Sequence, residues 1–144
     1  MDSAAEYDRK MARALCRAQT IALVGASHKP VRPSHGVMAY LLAAGFQVVP
    51  INPGLAGSEL LGQLVYARLA DVPEPIDLVN IFRRRQALSG IVDEALGLTP
   101  QPAAIWMQFD LVDQPAAARA EAAGLNVIMD RCTKIEHQRL CSPG

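Results

Sequence analysis

The stretch Thr20-Ile21-Ala22-Leu23-Val24-Gly25 decides the fold of this chain. A short, uncharged and apolar run of this kind is typical of a strand that is covered on both faces, as in a parallel sheet. The glycine at its end lets the backbone turn sharply and approach another group closely. After a polar loop, Ser34 to Ala44 carries apolar residues at helical spacing. The stretch therefore predicts a first strand that leads through a loop into a helix.

The same alternation of apolar strand and amphipathic helix continues along the chain. Further strands are predicted at Phe46 to Asn52, Ile76 to Phe82, Ala103 to Gln108 and Leu125 to Asp130. Helices are predicted at Ala4 to Ala18, Arg83 to Leu96 and Gln114 to Ala123, and a terminal turn or helix at Cys132 to Leu140. Strands that alternate with helices form parallel sheets with right-handed crossovers. We expect an α/β fold with one doubly wound, five-stranded parallel sheet in the order 3-2-1-4-5 and helices on both faces.

Length and composition fit one globular domain. The chain has 144 residues, of which 51% are hydrophobic and 19% are charged. Compact domains are commonly this long. We expect residues 1–19 to form a helix that packs on the domain, residues 20–140 to form the domain itself, and residues 141–144 to form a tail.

Charge and cysteine content argue against several classes of function. The net charge is zero, which argues against a nucleic-acid-binding surface, and no apolar run is long enough for a membrane helix. Met1 to Lys10 carries acidic residues and no hydrophobic signal core, so secretion is not indicated. Cys16, Cys132 and Cys141 are odd in number and lack CxxC spacing, which predicts free thiols in a reducing cytoplasm.

Basic residues gather at the predicted carboxyl ends of the strands. In an open parallel sheet the ligand binds at this edge, where the strand order reverses, here between strands one and four. Half of the 14 Lys and Arg residues follow strands one, three and five: Lys29, Arg32, Arg83, Arg84, Arg85, Arg131 and Lys134. A neutral protein with a basic crevice favours a small polyanionic ligand, although Arg84 and Arg85 are equally consistent with the exposed start of a helix.

The loop from Gly25 to Ser34 is the strongest local signal. Ser27 and Ser34 offer hydroxyl groups, and Ser34 is predicted to be the N-cap of the following helix. Backbone N–H groups and the positive end of that helix would face a diphosphate, with charge added by Lys29 and Arg32. The loop has one glycine and is too long for the dinucleotide fingerprint GxGxxG. Alone it is equally consistent with an ordinary polar loop.

The end of the second predicted strand separates the candidate ligands. NAD-binding domains place an acidic residue there to bind the ribose hydroxyl groups. This chain has Val49-Pro50-Ile51-Asn52-Pro53-Gly54, without a carboxylate. The absence of the acid argues against NAD and is compatible with NADP or with coenzyme A (CoA), whose ribose carries a phosphate.

Several short motifs follow one another along the chain: Val24-Gly-Ala-Ser27, Lys29-Pro30, Arg32-Pro-Ser-His35, Val49-Pro-Ile-Asn-Pro53, Gly62 with Tyr66, Asp77 to Arg83, Ile105-Trp-Met-Gln108, Val127-Ile-Met-Asp-Arg-Cys132 and Lys134-Ile-Glu-His137. In their order and spacing they resemble the motifs of stand-alone bacterial CoA-binding-domain proteins, which are related to the N-terminal domain of the succinyl-CoA synthetase α subunit. The resemblance covers about Thr20 to Leu140.

The resemblance implies a Rossmann-like fold with CoA bound across the strand ends. Carried over by position, Gly25, Ala26, Ser27 and Ser34 would contact phosphates, Asn52 and Pro53 would line the adenosine side, and Phe82, Arg83, Ile105 and Trp106 would border the remainder of the ligand. Leu55 stands where the synthetase has a lysine, so Lys29, Arg32 or Arg83 would have to serve the 3′-phosphate. The synthetase's histidine-bearing second domain has no counterpart here, so the resemblance implies binding without ligase activity.

Two classes of function therefore remain at the level of sequence. The first is non-catalytic binding of CoA or an acyl-CoA by a cytoplasmic carrier, sensor or partner module, with a protein partner or a homodimer as candidates. The second is an enzyme, either an NADP-type oxidoreductase or a CoA-thioester enzyme that uses Cys132 as its nucleophile. His28, His35 and His137 form no metal-binding pattern and are not assigned a catalytic role. A fold that has lost its ligand is a third alternative.

Overall fold

The computed structural model describes residues 3–141 of the chain. The helices are α1 Ala4–Leu15, α2 Pro33–Ala43, α3 Leu88–Leu96, α4 Gln114–Ala122 and α5 Thr133–Leu140. The strands are β1 Thr20–Val24, β2 Gln47–Ile51, β3 Glu59–Leu60, β4 Gln63–Leu64, β5 Leu78–Ile81, β6 Ala104–Met107 and β7 Asn126–Ile128. Short 3₁₀ turns lie at Pro53–Leu55, Leu69–Asp71 and Arg85–Ala87. The predicted tail lies outside the described residues except for Cys141.

Five of the strands form one parallel sheet in the order β2-β1-β5-β6-β7. The predicted α/β class and the five parallel strands are confirmed, but the predicted order is wrong. Numbered as the five predicted strands, the observed order is 2-1-3-4-5, because β5 pairs with β1 and not with β2. Val24 is aligned with Ile51 on one side and with Ile81 on the other. The order therefore reverses between β1 and β5, and the ligand crevice is expected there.

The segment between β2 and β5 contains a small antiparallel hairpin, β3 with β4, in place of a crossover helix. Tyr66, just after the hairpin, donates its N–H to Pro50 O and accepts from Asn52 N, at 3.0 and 2.9 Å. These bonds extend the edge of the sheet beside β2 and fix the chain as it leaves β2 near the crevice.

The helices cover the two faces of the sheet. Helices α1, α2 and α5 pack on one face around Leu15, Met38 and Leu41, and α3 and α4 pack on the other around Val92 and Ala117. Fully burying a Leu or Met side chain contributes about 1.5–3 kcal/mol. The strands are accordingly buried along most of their length, as the uncharged apolar runs predicted.

Three helices begin at residues other than those predicted, and α5 differs least, since it begins at Thr133 after its N-cap Cys132. Arg32 is the N-cap of α2 and Pro33 is its first residue, so Ser34 lies inside the helix and is not its cap. Proline favours the first helical position because its φ is already suitable and its missing N–H has no partner to lose. Helix α3 begins at Leu88, after the 3₁₀ turn, so Arg83 and Arg84 lie before both that turn and α3 and belong to neither.

The prediction of free thiols is wrong for two of the three cysteines. Cys16 and Cys141 form a disulfide with their Cα atoms 5.3 Å apart, and Cys132 is free and buried. Cys16 is the C-cap of α1 and Cys141 is the C-cap of α5. The two residues are 125 positions apart in sequence, so only the packing of α1 beside α5 brings them together. A cytoplasmic location stays a prediction.

His137 on α5 gives the fold a dependence on pH. Its Nδ1 lies 2.7 Å from Tyr40 Oη, and its ring packs edge-on against Tyr40 and Phe46. Burial lowers the pKa of His137 below its ordinary value. The unfolded chain then binds the proton more readily than the folded one, so stability is full above about pH 6.5 and falls as the pH drops towards the folded pKa.

We therefore expect the urea midpoint of unfolding to fall between pH 7.5 and pH 5.5, and to fall less in His137→Phe, whose side chain cannot be charged. His28→Gln is the matched control, because His28 is exposed. Its urea midpoint should change with pH with the same slope as that of the unchanged protein. Equal slopes for His137→Phe and the unchanged protein would show that His137 does not carry this dependence.

Candidate functional site

A cleft of about 420 Å³ opens at the carboxyl ends of β1, β5 and β6. It lies where the strand order reverses. Its lining includes eight residues predicted from the sequence: Gly25, Ala26, Ser27, Arg32, Ser34, Asn52, Phe82 and Arg83. Pro33, Gln108, Phe109 and Leu111 complete the lining.

Gly25 sits at the centre of this edge and must be glycine. Its φ is +91°, and a Cβ built there would lie 2.7 Å from Phe82 O and 3.1 Å from Arg83 Cδ. The N–H groups of Gly25 and Ala26 donate to Ile51 O, at 3.0 and 3.3 Å. The turn after β1 is therefore pressed against the end of β5, and a side chain would push the two apart.

Asn52 ties the two loops beside the cleft together. Its Nδ2 donates to Ala26 O at 2.8 Å, and its Oδ1 accepts from Gly54 N at 2.8 Å. An aspartate could not donate to Ala26 O. The absence of an acid, interpreted above as a sign of ligand choice, thus also has a structural cause.

The two serines of the loop have different surroundings. Ser27 Oγ accepts from Lys29 N at 3.1 Å and stabilises the loop. Ser34 is only 4% exposed, and its hydroxyl makes no hydrogen bond with the residues that the structure describes. That hydroxyl is not sealed from solvent, since the sole buried, unpartnered side-chain atom of residues 3–141 belongs to Glu74. Ser34 Oγ is therefore available to a ligand in the cleft.

The cleft is electropositive. Arg32 and Arg83 line it, and its described lining contains no Asp or Glu. The other predicted basic residues do not reach it. Lys29 is exposed, Arg131 donates to Asp130 O and lies over the Tyr7 ring, and Lys134 lies over the Tyr40 ring. The last two follow β7, which the observed strand order places at the far edge of the sheet.

Gln108, which the sequence reasoning did not assign to the site, is held there by a buried polar network. Its Oε1 accepts from Asn80 Nδ2 and from Thr133 N, both at 3.1 Å, and Thr133 Oγ1 donates to Asn80 Oδ1 at 2.9 Å. A backbone N–H can only donate, so the atom facing it must be the oxygen. The Nε2 amine of Gln108 is left as a hydrogen-bond donor for a ligand. Its position as a polar residue at a strand end could have identified it.

Phe109 and Leu111 give the cleft an apolar wall. Phe109 is 52% exposed, which is unusual for a large aromatic side chain. The next residue, Asp110, has a φ of +67° and donates its N–H to Asp130 Oδ1 at 2.7 Å. This bond holds the loop that carries Phe109. Exposed apolar residues in a loop have no periodic signal in the sequence.

A second, smaller cavity of about 200 Å³ shares Gly25 and Arg83 with the cleft. We call it the side pocket. Its floor is apolar and its remaining lining is Val24, Ile51, Pro53, Ala67, Arg68, Leu69, Ala87, Ile91 and Glu94. Pro53, predicted to line the adenosine side, lies here. The cleft and the side pocket together can accept a ligand with a charged middle and an apolar, flat end.

Three residues of sequence interest lie away from both cavities. Ile105 and Trp106 are 0% exposed and belong to the core, with Trp106 Nε1 donating to Arg131 O at 2.9 Å. Strand β6 runs between two layers of helices, and neither side chain is part of the described lining of the cleft. The predicted contact of Ile105 and Trp106 with a ligand therefore has no support in this geometry. Leu55, which replaces the synthetase's lysine, is half-buried and packs on the core.

Two properties of the described residues bear on function. No helix in residues 3–141 has the length and apolar character that a membrane crossing requires. Within the same residues, His, Cys, Asp and Glu side chains form no group of three or more that could hold a metal ion.

Comparison with known proteins identifies the family. The family model described as CoA binding domain matches residues 19–138. An uncharacterized protein of Bacillus subtilis, YneT, is 39% identical over 123 residues, which are 85% of this chain and 88% of that protein. A solved structure from Thermus thermophilus is 37% identical with a TM-score of 0.86, over 92% of this chain and 98% of that one.

A larger enzyme contains a similar domain. The dinucleotide-forming acetyl-coenzyme A synthetase 1 of Ca. Korarchaeum cryptofilum is 25% identical with a TM-score of 0.66, and the match covers 81% of this chain but 27% of the synthetase. The resemblance stated from the sequence motifs is thereby confirmed. With its Rossmann-like sheet, its glycine turn and a family match over most of its length, the chain belongs to the CoA-binding domain family.

Proposed function

We propose that this chain binds CoA or an acyl-CoA in the cleft and does not transform it, acting as a carrier, a sensor or a partner module. The observation that carries the proposal is the cleft where the strand order reverses between β1 and β5. Two arginines and the turn at Gly25 line it, and its described lining contains no carboxylate. The chain is also a member of a CoA-binding domain family. Electropositive loops next to a helix N-terminus favour phosphate groups.

The two ends of CoA have matching surfaces. The diphosphate lies against Gly25, Ala26, Ser27 and the hydroxyl of Ser34, with Arg32 neutralising its charge. The pantetheine arm runs along Phe82, Phe109 and Leu111, and its amide groups can accept a hydrogen bond from Gln108 Nε2. The adenosine end enters the side pocket beside Pro53.

The 3′-phosphate of CoA needs a cation, because Leu55 cannot supply one. Arg83 lines both the cleft and the side pocket, and Arg68 lines the side pocket. Arg68 is partly neutralised by Asp71, whose Oδ1 lies 3.8 Å away. We therefore assign the 3′-phosphate to Arg83. Lys29, which is exposed, stays a secondary candidate.

The residues around the cleft argue for binding without chemistry. Cys132 is 6% exposed, belongs to the core on the face of the sheet covered by α1, α2 and α5, and is not part of the described lining of the cleft. No histidine lines the cleft among the described residues. A nucleophile must reach the reacting carbonyl, and these groups do not.

This part of the proposal can be tested by incubating the protein with acetyl-CoA and measuring the free thiol of CoA that is released. We expect no release above the rate without protein, in the unchanged protein and in Cys132→Ser alike. Release that depends on the protein and disappears in Cys132→Ser would instead support a CoA-thioester enzyme.

A further inference from the structure

Glu94 is the one carboxylate in the described lining of the side pocket. It lies on α3, beside the apolar floor formed by residues such as Ile51 and Ile91. Its Oε1 accepts a hydrogen bond from Leu69 N at 2.7 Å, which fixes the side chain against the edge of the pocket. An apolar cavity with a single fixed acceptor is suited to a flat ring that carries a hydrogen-bond donor.

The second oxygen of Glu94 is free to meet such a donor. Oε2 makes no hydrogen bond with any described residue, and it is not among the buried atoms that lack a partner in residues 3–141. Arg68 and Arg83 share the pocket, but neither lies within ion-pair distance of Glu94 in the described structure. The carboxylate therefore remains available to a ligand.

The charge of Glu94 limits what the pocket can hold. An ionised carboxylate only accepts hydrogen bonds, and it repels phosphate groups and carbonyl oxygens. The phosphates of a ligand must then lie on the arginine side, next to Gly25, and the group that enters the pocket must present an N–H. Among purine rings, adenine presents an amine at C6, whereas hypoxanthine presents at C6 an oxygen that the carboxylate repels and carries its N–H at N1 instead.

We propose that Glu94 recognises the base of the ligand, by accepting a hydrogen bond at Oε2 from the C6 amine of adenine in the side pocket. This inference rests on the proposed function, since it takes the adenosine end of CoA as the occupant. Glu94 is then a specificity-determining residue, and the chain binds adenine-containing CoA in preference to the same molecule with hypoxanthine.

The test compares CoA with its deaminated analogue, in which hypoxanthine replaces adenine, by calorimetric titration of the unchanged protein and of Glu94→Gln. The unchanged protein is expected to bind CoA about tenfold more tightly than the hypoxanthine analogue, because one hydrogen bond to a charged group contributes about that much. Glutamine can still accept from Leu69 N but presents an amine where Oε2 was. The preference in Glu94→Gln is therefore expected to vanish or reverse towards the hypoxanthine analogue.

Asp93→Asn is the matched control, because it removes a negative charge from the adjacent residue of α3, which pairs with Arg119 outside the pocket. It should keep the tenfold preference. Equal affinity of the unchanged protein for both ligands would overturn the role of Glu94 while leaving CoA binding intact. An equal loss for both ligands in Glu94→Gln would also overturn it and assign Glu94 to structure. Binding of neither ligand by the unchanged protein would overturn the proposed function and this inference together.

Discussion

Replacing Gly25 with alanine is expected to weaken CoA binding by roughly 100-fold, because moving the turn away from β5 would displace the contacts that Ser27, Ser34 and Arg83 make with phosphate, a loss equal to about two hydrogen bonds to charged groups. The new Cβ would lie 2.7 Å from Phe82 O and 2.9 Å from Phe82 C, both backbone atoms that cannot move aside. The positive φ adds about 1–3 kcal/mol of strain, so the variant should also be less stable. Calorimetry measures the affinity, and thermal unfolding measures the stability.

Gly45→Ala separates strain from contact. Gly45 has a φ of +103°, similar to that of Gly25, but no atom lies within 4 Å of a Cβ built there, and it lies between α2 and β2 away from the cleft. This variant should lose stability and keep its affinity for CoA. If Gly25→Ala is as folded as Gly45→Ala and still binds CoA as tightly as the unchanged protein, the turn after β1 is not the phosphate site.

Removing the Arg83 side chain is expected to weaken CoA by about 10-fold to 100-fold, as for a charge-assisted bond to phosphate. Arg83 lines both cavities, and its Cδ lies against the Gly25 turn. If Arg83 serves the 3′-phosphate, Arg83→Ala should weaken CoA more than it weakens dephospho-CoA, which lacks that group. Titration with both ligands measures the difference.

Arg84→Ala is the control for the loss of one positive charge at the same edge. Arg84 is exposed and lies outside the described lining of both cavities. We therefore expect the affinity of Arg84→Ala for CoA to differ from that of the unchanged protein by less than about twofold. Equal losses for CoA and dephospho-CoA in Arg83→Ala would reassign Arg83 to the diphosphate. No loss in Arg83→Ala would remove it from the site.

The strands and helices of this fold could be predicted from local patterns, but the order of the strands could not. Runs such as Thr20 to Val24 and Leu78 to Ile81 are buried on both faces, so their residues carry no mark of which neighbour they pair with. Orders 3-2-1-4-5 and 2-1-3-4-5 both satisfy right-handed crossovers. The disulfide between Cys16 and Cys141 could not be predicted either, because it depends on how two helices far apart in sequence pack against each other.

The phosphate side of the cleft could be predicted because its residues are consecutive in sequence, from Gly25 to Ser34. Arg131 and Lys134 were misplaced because the predicted order left one strand between theirs and the reversal point, whereas two strands, β5 and β6, lie between β7 and that point in the structure. Trp106 was interpreted as a possible border of the ligand, yet alternation along β6 and the helices on both faces bury it completely. Glu94 was missed because its place beside Leu69 depends on a contact between segments 25 residues apart.

The central claim is that the cleft takes CoA, and one titration tests it most directly. The unchanged protein is titrated calorimetrically with CoA, acetyl-CoA, NAD, NADPH and ATP under the same conditions. We predict saturable binding of CoA or acetyl-CoA at one site per chain, tighter than that of any other nucleotide in the set. The claim would be contradicted if neither CoA nor acetyl-CoA bound at millimolar concentration, or if NADPH bound more tightly than both of them.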